Sequence, residues 1–137
     1  MMLAKIKDFF SENDRFAKHS GIEVVSISEA EAVAQMQVQD FHLNGAGVVH
    51  GGAIFTLADF AFALASNSHN RISLGINVSV NFIHSVKSGT LRAHAKEISK
   101  NHKLGSYNVK IYDQESKIVA DFNGMVYRKS DEIVKDR

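Results

Sequence analysis

Gly51-Gly52-Ala53-Ile54-Phe55-Thr56-Leu57-Ala58-Asp59-Phe60-Ala61-Phe62-Ala63-Leu64-Ala65-Ser66 reads as one helix that is apolar on nearly every face. Such a helix must be buried on most sides, and this one falls short of the roughly 20 residues that cross a bilayer. In a small domain it predicts a central helix wrapped by a curved sheet. The flanking sequence supplies that sheet. Downstream, Leu74, Ile76, Val78, Val80 and Phe82 alternate with Asn77, Ser79 and Asn81. Strands then follow over about 89–99, 104–113 and 117–128, divided by Lys100-Asn101-His102 and Asp113-Gln114-Glu115-Ser116. Upstream, Ile22, Val24 and Ser26 alternate with Glu23 and Val25, and after Glu29-Ala30-Glu31 the inward set is Ala32, Ala34, Met36 and Val38. Period two on both sides of a buried helix indicates an antiparallel α+β domain. The first 20 residues form a helical segment with Leu3, Ile6, Phe9 and Phe10 on one stripe, a break at Ser11-Glu12-Asn13-Asp14, and a stop at Gly21. One sheet and one buried helix leave apolar edges, which predicts self-association.

The chain has 137 residues, which suits one domain spanning 1–137. The net charge of +1 gives no basic excess for binding nucleic acid. There is no Cys, which excludes disulfides, thiolate metal sites and a Cys nucleophile. The His residues show neither H-x-H nor H-x-x-x-H spacing, so no metal site and no cofactor is expected. Met1-Met2-Leu3-Ala4-Lys5-Ile6-Lys7-Asp8 turns charged before an apolar secretory core forms, which predicts a cytoplasmic protein without a membrane partner. Pro is absent too, so Gly, Asn, Asp and Ser must make every chain break.

Chemistry concentrates between Asn44 and Asp59. Gly51-Gly52 opens the buried helix, where unpaired N–H groups carry partial positive charge and no side chain bars a ligand oxygen. That is the make-up of an oxyanion site, although Gly-Gly also suits a tight turn into a helix. Asp59 lies two turns into an apolar helix, where a carboxylate is costly unless paired or facing a cleft. Thr56 shares its face and is the alternative partner for a purely structural hydrogen bond. Otherwise Asp59 is a nucleophile or general base for a carbonyl substrate. Asn44 offers an amide donor, although Asn44-Gly45 is also an ordinary turn. His50 serves as a cap, a loop-orienting group or an acid–base group.

Together, Asn44-Gly45, Val49-His50-Gly51-Gly52 and Thr56-Leu57-Ala58-Asp59 resemble the phenylacetic-acid-pathway (PaaI-like) type of hotdog thioesterase. The resemblance covers about residues 14–128, including the strand over 78–82 and the turn ending in Gly89. It implies a hotdog fold, with a long helix inside an antiparallel sheet. It also implies a homodimer or a dimer-of-dimers tetramer, and hydrolysis of an acyl- or aryl-CoA thioester to free acid and CoA. By resemblance Asn44 and the Gly51 N–H polarise the thioester carbonyl, and Asp59 of the partner subunit attacks it or activates water. His50, Gly52 and Asn77 count among the substrate contacts. The CoA channel falls on 82–87 and on the turn 99–104, which carry His84, Lys87, Lys100, His102 and Lys103. Relatives leave the strand through an Arg-Pro-Ala-Lys/Arg-x-Gly turn; Ile83-His84-Ser85-Val86-Lys87-Ser88-Gly89 keeps Lys87 and Gly89 and lacks the Arg and Pro. Two rival activities fit the same fold. A hotdog hydratase or dehydratase would use His50 and Asp59. A non-catalytic acyl-CoA-binding protein would bind tightly without turnover.

Overall fold

The computed structural model describes residues 1–135. Helices α1 (Met2–Asn13) and α2 (Arg15–His19) precede strands β1 (Ile22–Ser28) and β2 (Glu31–Gln37). A 3-10 turn (Asp40–His42) leads through a loop into helix α3 (Gly51–Asn67), and β3 (Ser73–Phe82), β4 (Thr90–Lys100), β5 (Leu104–Tyr112) and β6 (Ile118–Arg128) follow. Among the described residues the strands form one antiparallel sheet in the order β1-β2-β4-β5-β6-β3. The fold is the α+β hotdog arrangement, with α3 packed on the sheet as its central helix.

Local chemistry sets the element ends. Asp14 separates α1 from α2, and its carboxylate caps α2 by accepting the Ala17 N–H at 3.1 Å. At a φ of +78°, Gly21 turns the chain into β1. Small side chains let α3 approach the sheet. Ala32, Ala34, Ala93 and Ala95 line the inner face of β2 and β4 beside Met36 and Leu91, all of them buried. Phe62, also buried, sets its ring over Gly75 of β3 and Gly124 of β6. A Cβ at Gly124 would lie 2.7 Å from the Phe62 ring, so only glycine leaves the notch. Burying one such ring stabilises the fold by about 2–3 kcal/mol.

Two sequence expectations need correction. In β1 the alternation breaks at a bulge between Val24 and Ser26, so Ile27 rather than Ser26 packs against the core. On α1 only Ile6 of the predicted stripe is fully buried, and Phe9 stays 40% exposed. The stripe meets the rest of the fold along one line, and its rim faces a groove described below.

Polar groups cluster at the C-terminal end of α3. Glu97 Oε1 accepts the Tyr107 hydroxyl at 2.7 Å and lies 2.7 Å from His69 Nε2. Burial alone would raise the Glu97 pKa. The hydrogen bonds from Tyr107 and His69, with the charges of His69 and Lys100, outweigh it and leave the carboxyl below its ordinary range. Burial and the Glu97 carboxylate push the Tyr107 phenol far up. Tyr107→Phe is expected to destabilise the protein by about 1.5–3 kcal/mol at neutral pH, the value of a bond to a charged group. Because the Glu97 pKa is lowered in the fold, its contribution is present above the unfolded pKa and fades as pH falls through the folded one. Melting curves of the two proteins should therefore converge in acid. A gap that stays constant with pH would remove Glu97 from the account.

Candidate active site

The loop before α3 is built around Asn44. Its Oδ1 accepts the N–H groups of Ala46 at 2.9 Å and Val48 at 3.2 Å, and its backbone N–H donates to Val48 O. Gly47 closes the loop at a φ of +78°. These bonds fix which end of the amide is oxygen. They leave Nδ2 as the group without a partner among the described residues. The turn reading and the donor reading of Asn44 therefore use different atoms of one side chain.

His50 caps α3. Its Nδ1 accepts the Gly52 N–H at 2.8 Å, while its own N–H donates to His42 O at 2.7 Å. The Ala53 and Ile54 N–H groups turn back to His50 O. Gly51 is then the one residue of the first turn whose N–H finds no acceptor among the described residues. The ring of Phe82 lies over it, so that a Cβ at Gly51 would approach Phe82 to 3.1 Å. Asn44, Gly51, Phe82 and His84 line one cleft of about 250 Å³. The residue with the unpartnered amide and the residue at the N-terminus of α3 thus border one space, the pair of donor types that an oxyanion hole uses.

Asp59 is elsewhere. It lies eight positions after Gly51, about 12 Å along the axis at a rise of roughly 1.5 Å per residue. It borders a different cavity, of about 380 Å³, with Phe9, Phe62 and Ala63. Thr56 is not its partner, because the Thr56 hydroxyl donates to Gly52 O at 2.7 Å. The Asp59 side chain is open to solvent in the free chain, yet the groove walls partly desolvate it, and with the negative charge of Asp14 added this raises its pKa above the ordinary carboxylate range. Around the helix, Asp59 shares with Gly52 and Phe55 a stripe that the sheet leaves exposed. The sheet edge beside it is β3, where Leu74 and Ile76 are each more than half exposed. No charged residue and no Pro interrupts β3. An uncharged, unprotected edge of this length is a template for pairing with another strand.

The other predicted contacts divide. His50 and Gly52 meet through the cap, and Asn77 sits exposed at a bulge in β3. His84 is anchored by its N–H to Val119 O, and Lys87 follows Val86, whose carbonyl accepts the Val49 N–H. Lys100, His102 and Lys103 lie at the opposite end of the sheet, where Arg71 holds His102 O at 2.9 Å and the Arg128 N–H holds Lys103 O. The ten-residue β3 separates the two groups, about 30 Å at roughly 3.3 Å per residue, so one chain does not gather them into one cluster.

One contributor was not legible in sequence. His42 is buried within the stretch read as irregular. Its Nδ1 accepts the Gln39 N–H at 2.9 Å and its Nε2 reaches Ser20 O at 2.7 Å. With Nδ1 accepting, the proton must sit on Nε2, and this neutral ring ties the site loop to the end of α2. Among the described residues, no group of three or more metal-ligating side chains converges. No helix among them is long and apolar enough to cross a membrane.

Comparisons with known proteins agree with this fold. A family model described as the thioesterase superfamily matches residues 46–120. A putative esterase of Archaeoglobus fulgidus is 37% identical over 96% of this chain and 86% of its own length. The acyl-coenzyme A thioesterase PaaI of Escherichia coli is 38% identical over 85% of this chain and 84% of its own. The solved structure of that Escherichia coli protein, from the phenylacetic acid degradation operon, superimposes with a TM-score of 0.93 over 97% of both chains at 34% identity. A Streptococcus mutans protein crystallised bound to acetyl CoA covers 81% of this chain and 90% of its own, with a TM-score of 0.78 at 25% identity. The chain belongs to the thioesterase superfamily, as a PaaI-like thioester hydrolase of the hotdog fold.

Proposed function

We propose that the protein hydrolyses an acyl-CoA thioester in a site shared between two copies of the chain. The observation that carries this reading is the separation of the Asn44–Gly51 cleft from Asp59 by about 12 Å on one helix. No single thioester carbonyl spans that distance, so Asp59 must serve a cleft other than its own. Antiparallel pairing of β3 with a second β3 would seat the partner's Asp59 opposite Gly51. The carbonyl oxygen would then accept from Asn44 Nδ2 and the Gly51 N–H, which gain strength as negative charge develops on it. As a general base, the partner's Asp59 removes a proton from water while the water oxygen bonds to the carbonyl carbon. The C–S bond then breaks, CoA leaves as thiolate and is protonated, and the acid is released. Acting instead as nucleophile, Asp59 would form a mixed anhydride that water cleaves. The open stripe on α3 and the bare β3 edge both support the pairing.

The same pairing gives the split cations a role. A two-fold axis across β3 reverses the partner strand. The partner's Lys100, His102 and Lys103 then approach His84 and Lys87 of the first chain, at the mouth of the Asn44–Gly51 cleft. This joint basic rim suits the phosphates of CoA. Lys87→Glu or Lys103→Glu should raise KM for acyl-CoA at low salt, and the difference should shrink as salt screens the charges beyond about 8–10 Å. A short thioester lacking the nucleotide should be little affected. Equal loss on both substrates would count against a phosphate role.

Mixed chains test the shared site. Asn44→Ala and Asp59→Asn proteins, each inactive as homodimers, should regain thiol release from acyl-CoA after subunit exchange. One site in each heterodimer then carries both native groups. Absence of recovery, with exchange verified by mass, would rule out a site built from two chains.

A further inference from the structure

The cavity that Asp59 borders is largely apolar, with Phe9 and Phe10 of α1, Phe62 and Ala63 of α3, Leu74 of β3 and Ile133 among its walls. We propose that this groove is the acyl-tail subsite, and that it selects an apolar tail of medium length over tails ending in a hydroxyl or carboxylate group. The inference rests on the thioester-hydrolase reading of Asp59, which stands at one end of the groove.

Length follows from the helix. Asp59, Ala63 and Ser66 recur at i, i+4 and i+7 on one face of α3, and Ala63 is small enough to leave the space open. From Asp59 to Ser66 the groove runs about 10 Å, the reach of an extended tail of roughly six to eight carbons. The floor is rigid, because the Phe62 ring is seated in the notch made by Gly75 and Gly124. The far wall is held just as firmly. Asn70, at a φ of +60°, accepts the N–H groups of Ile133 at 3.2 Å and Val134 at 2.9 Å and donates to Val134 O at 2.8 Å. This side chain brings Ile133 back across the end of α3.

Selectivity follows from hydrogen bonding. Polar side chains do reach the far end of the groove, but each is already engaged within the chain. Asn67 Nδ2 donates to Ala63 O at 2.8 Å, and its Oδ1 accepts the Ser73 N–H at 2.9 Å. Ser66 Oγ donates to Ala63 O, and Ser73 Oγ to Arg71 O at 3.1 Å. A carboxylate at the end of the tail would give up its water and find no free donor in these walls, and a hydroxyl would recover only the bond it donates, to a serine Oγ.

The test is thiol release from acetyl-, butyryl-, octanoyl-, ω-hydroxyoctanoyl- and suberoyl-CoA. The specificity constant kcat/KM should climb with length as far as octanoyl. The two polar-ended tails should fall roughly 10- to 100-fold below octanoyl. Ala63→Leu should lower the octanoyl-to-acetyl ratio by about tenfold or more, and Phe9→Ala should move the preferred length upward. Circular dichroism and size exclusion establish that both variants keep their fold and assembly. Binding of the non-hydrolysable thioether S-octyl-CoA, read by calorimetry, supplies a measure independent of turnover. Weaker S-octyl-CoA binding by Ala63→Leu, in a protein that hydrolyses nothing, would uphold the groove and sink the hydrolase reading. Turnover that is flat with tail length and unchanged by Ala63→Leu would overturn the groove and spare the hydrolase reading. If Ala63→Leu instead alters assembly and leaves selectivity alone, the groove is occupied by a second copy and the inference fails.

Discussion

Asp59→Asn is expected to lower kcat by about 10²–10⁴, with KM little changed, because an amide of the same shape neither attacks a carbonyl nor takes a proton from water. Its effect on stability should run the other way. In the fold, partial desolvation and the charge of Asp14 raise the Asp59 pKa, so the structure favours the protonated, neutral group. Above that raised pKa the ionised carboxylate carries a cost that the unfolded chain does not. An amide has no charge to desolvate, so the variant should melt at the same temperature as the native protein or higher at neutral pH. High stability joined to lost turnover is the signature of a group retained for chemistry. The wild-type rate should also fall in acid, with a midpoint above the ordinary carboxylate range, as Asp59 takes up its proton. Near-native turnover by Asp59→Asn, or a midpoint at the ordinary carboxylate value, would exclude Asp59 as the base.

Asn44→Asp separates the two jobs of that residue more cleanly than Asn44→Ala does. The carboxylate keeps an oxygen for the Ala46 and Val48 N–H groups, so the loop should hold its shape. It removes the Nδ2 donor and sets negative charge beside the space meant for a developing oxyanion. The loss in kcat should reach at least 10²–10³-fold, roughly the scale of removing one oxyanion donor. The melting temperature should stay close to native. Alanine gives up the loop bonds as well, so it should lose both activity and stability. If Asn44→Asp lowers the melting temperature and leaves kcat intact, Asn44 is a loop residue and the oxyanion hole lies elsewhere.

Joining the two residues across an interface explains features that are otherwise unfavourable in a free chain. β3 is long, uncharged and exposes Leu74 and Ile76, and α3 exposes Phe55 and the Asp59 carboxylate, which has no partner among the described residues, on one stripe. A second copy would cover both surfaces and would place a desolvated base opposite two preorganised donors. The raised pKa of Asp59 then has a use, since a base closer to neutrality shares a proton with water more readily.

Much of this was legible in the residues themselves. An apolar helix flanked by period-two segments admits few burial schemes, and the boundaries of α3 and of β4 to β6 follow within a residue or two from Gly51, Asn101 and Asp113. The spacing of Asn44, Gly51 and Asp59 singled out the residues proposed here to carry the chemistry, because an amide, a helix N-terminus and a lone carboxylate are individually common and jointly rare. Other features depended on contacts between distant segments. Sequence put Ser26 inside and the β1 bulge put Ile27 there, since one extra residue flips every side chain beyond it. It read 39–50 as irregular, while a buried His42 tied that loop to Ser20. It gathered five Lys and His side chains into one rim that a single chain splits between two ends of a sheet. Strand order is the common cause. Local pattern fixes which residues face inward, but which strand stands at the edge is decided by pairings between segments far apart in the chain. Here that choice left β3 open beside Asp59.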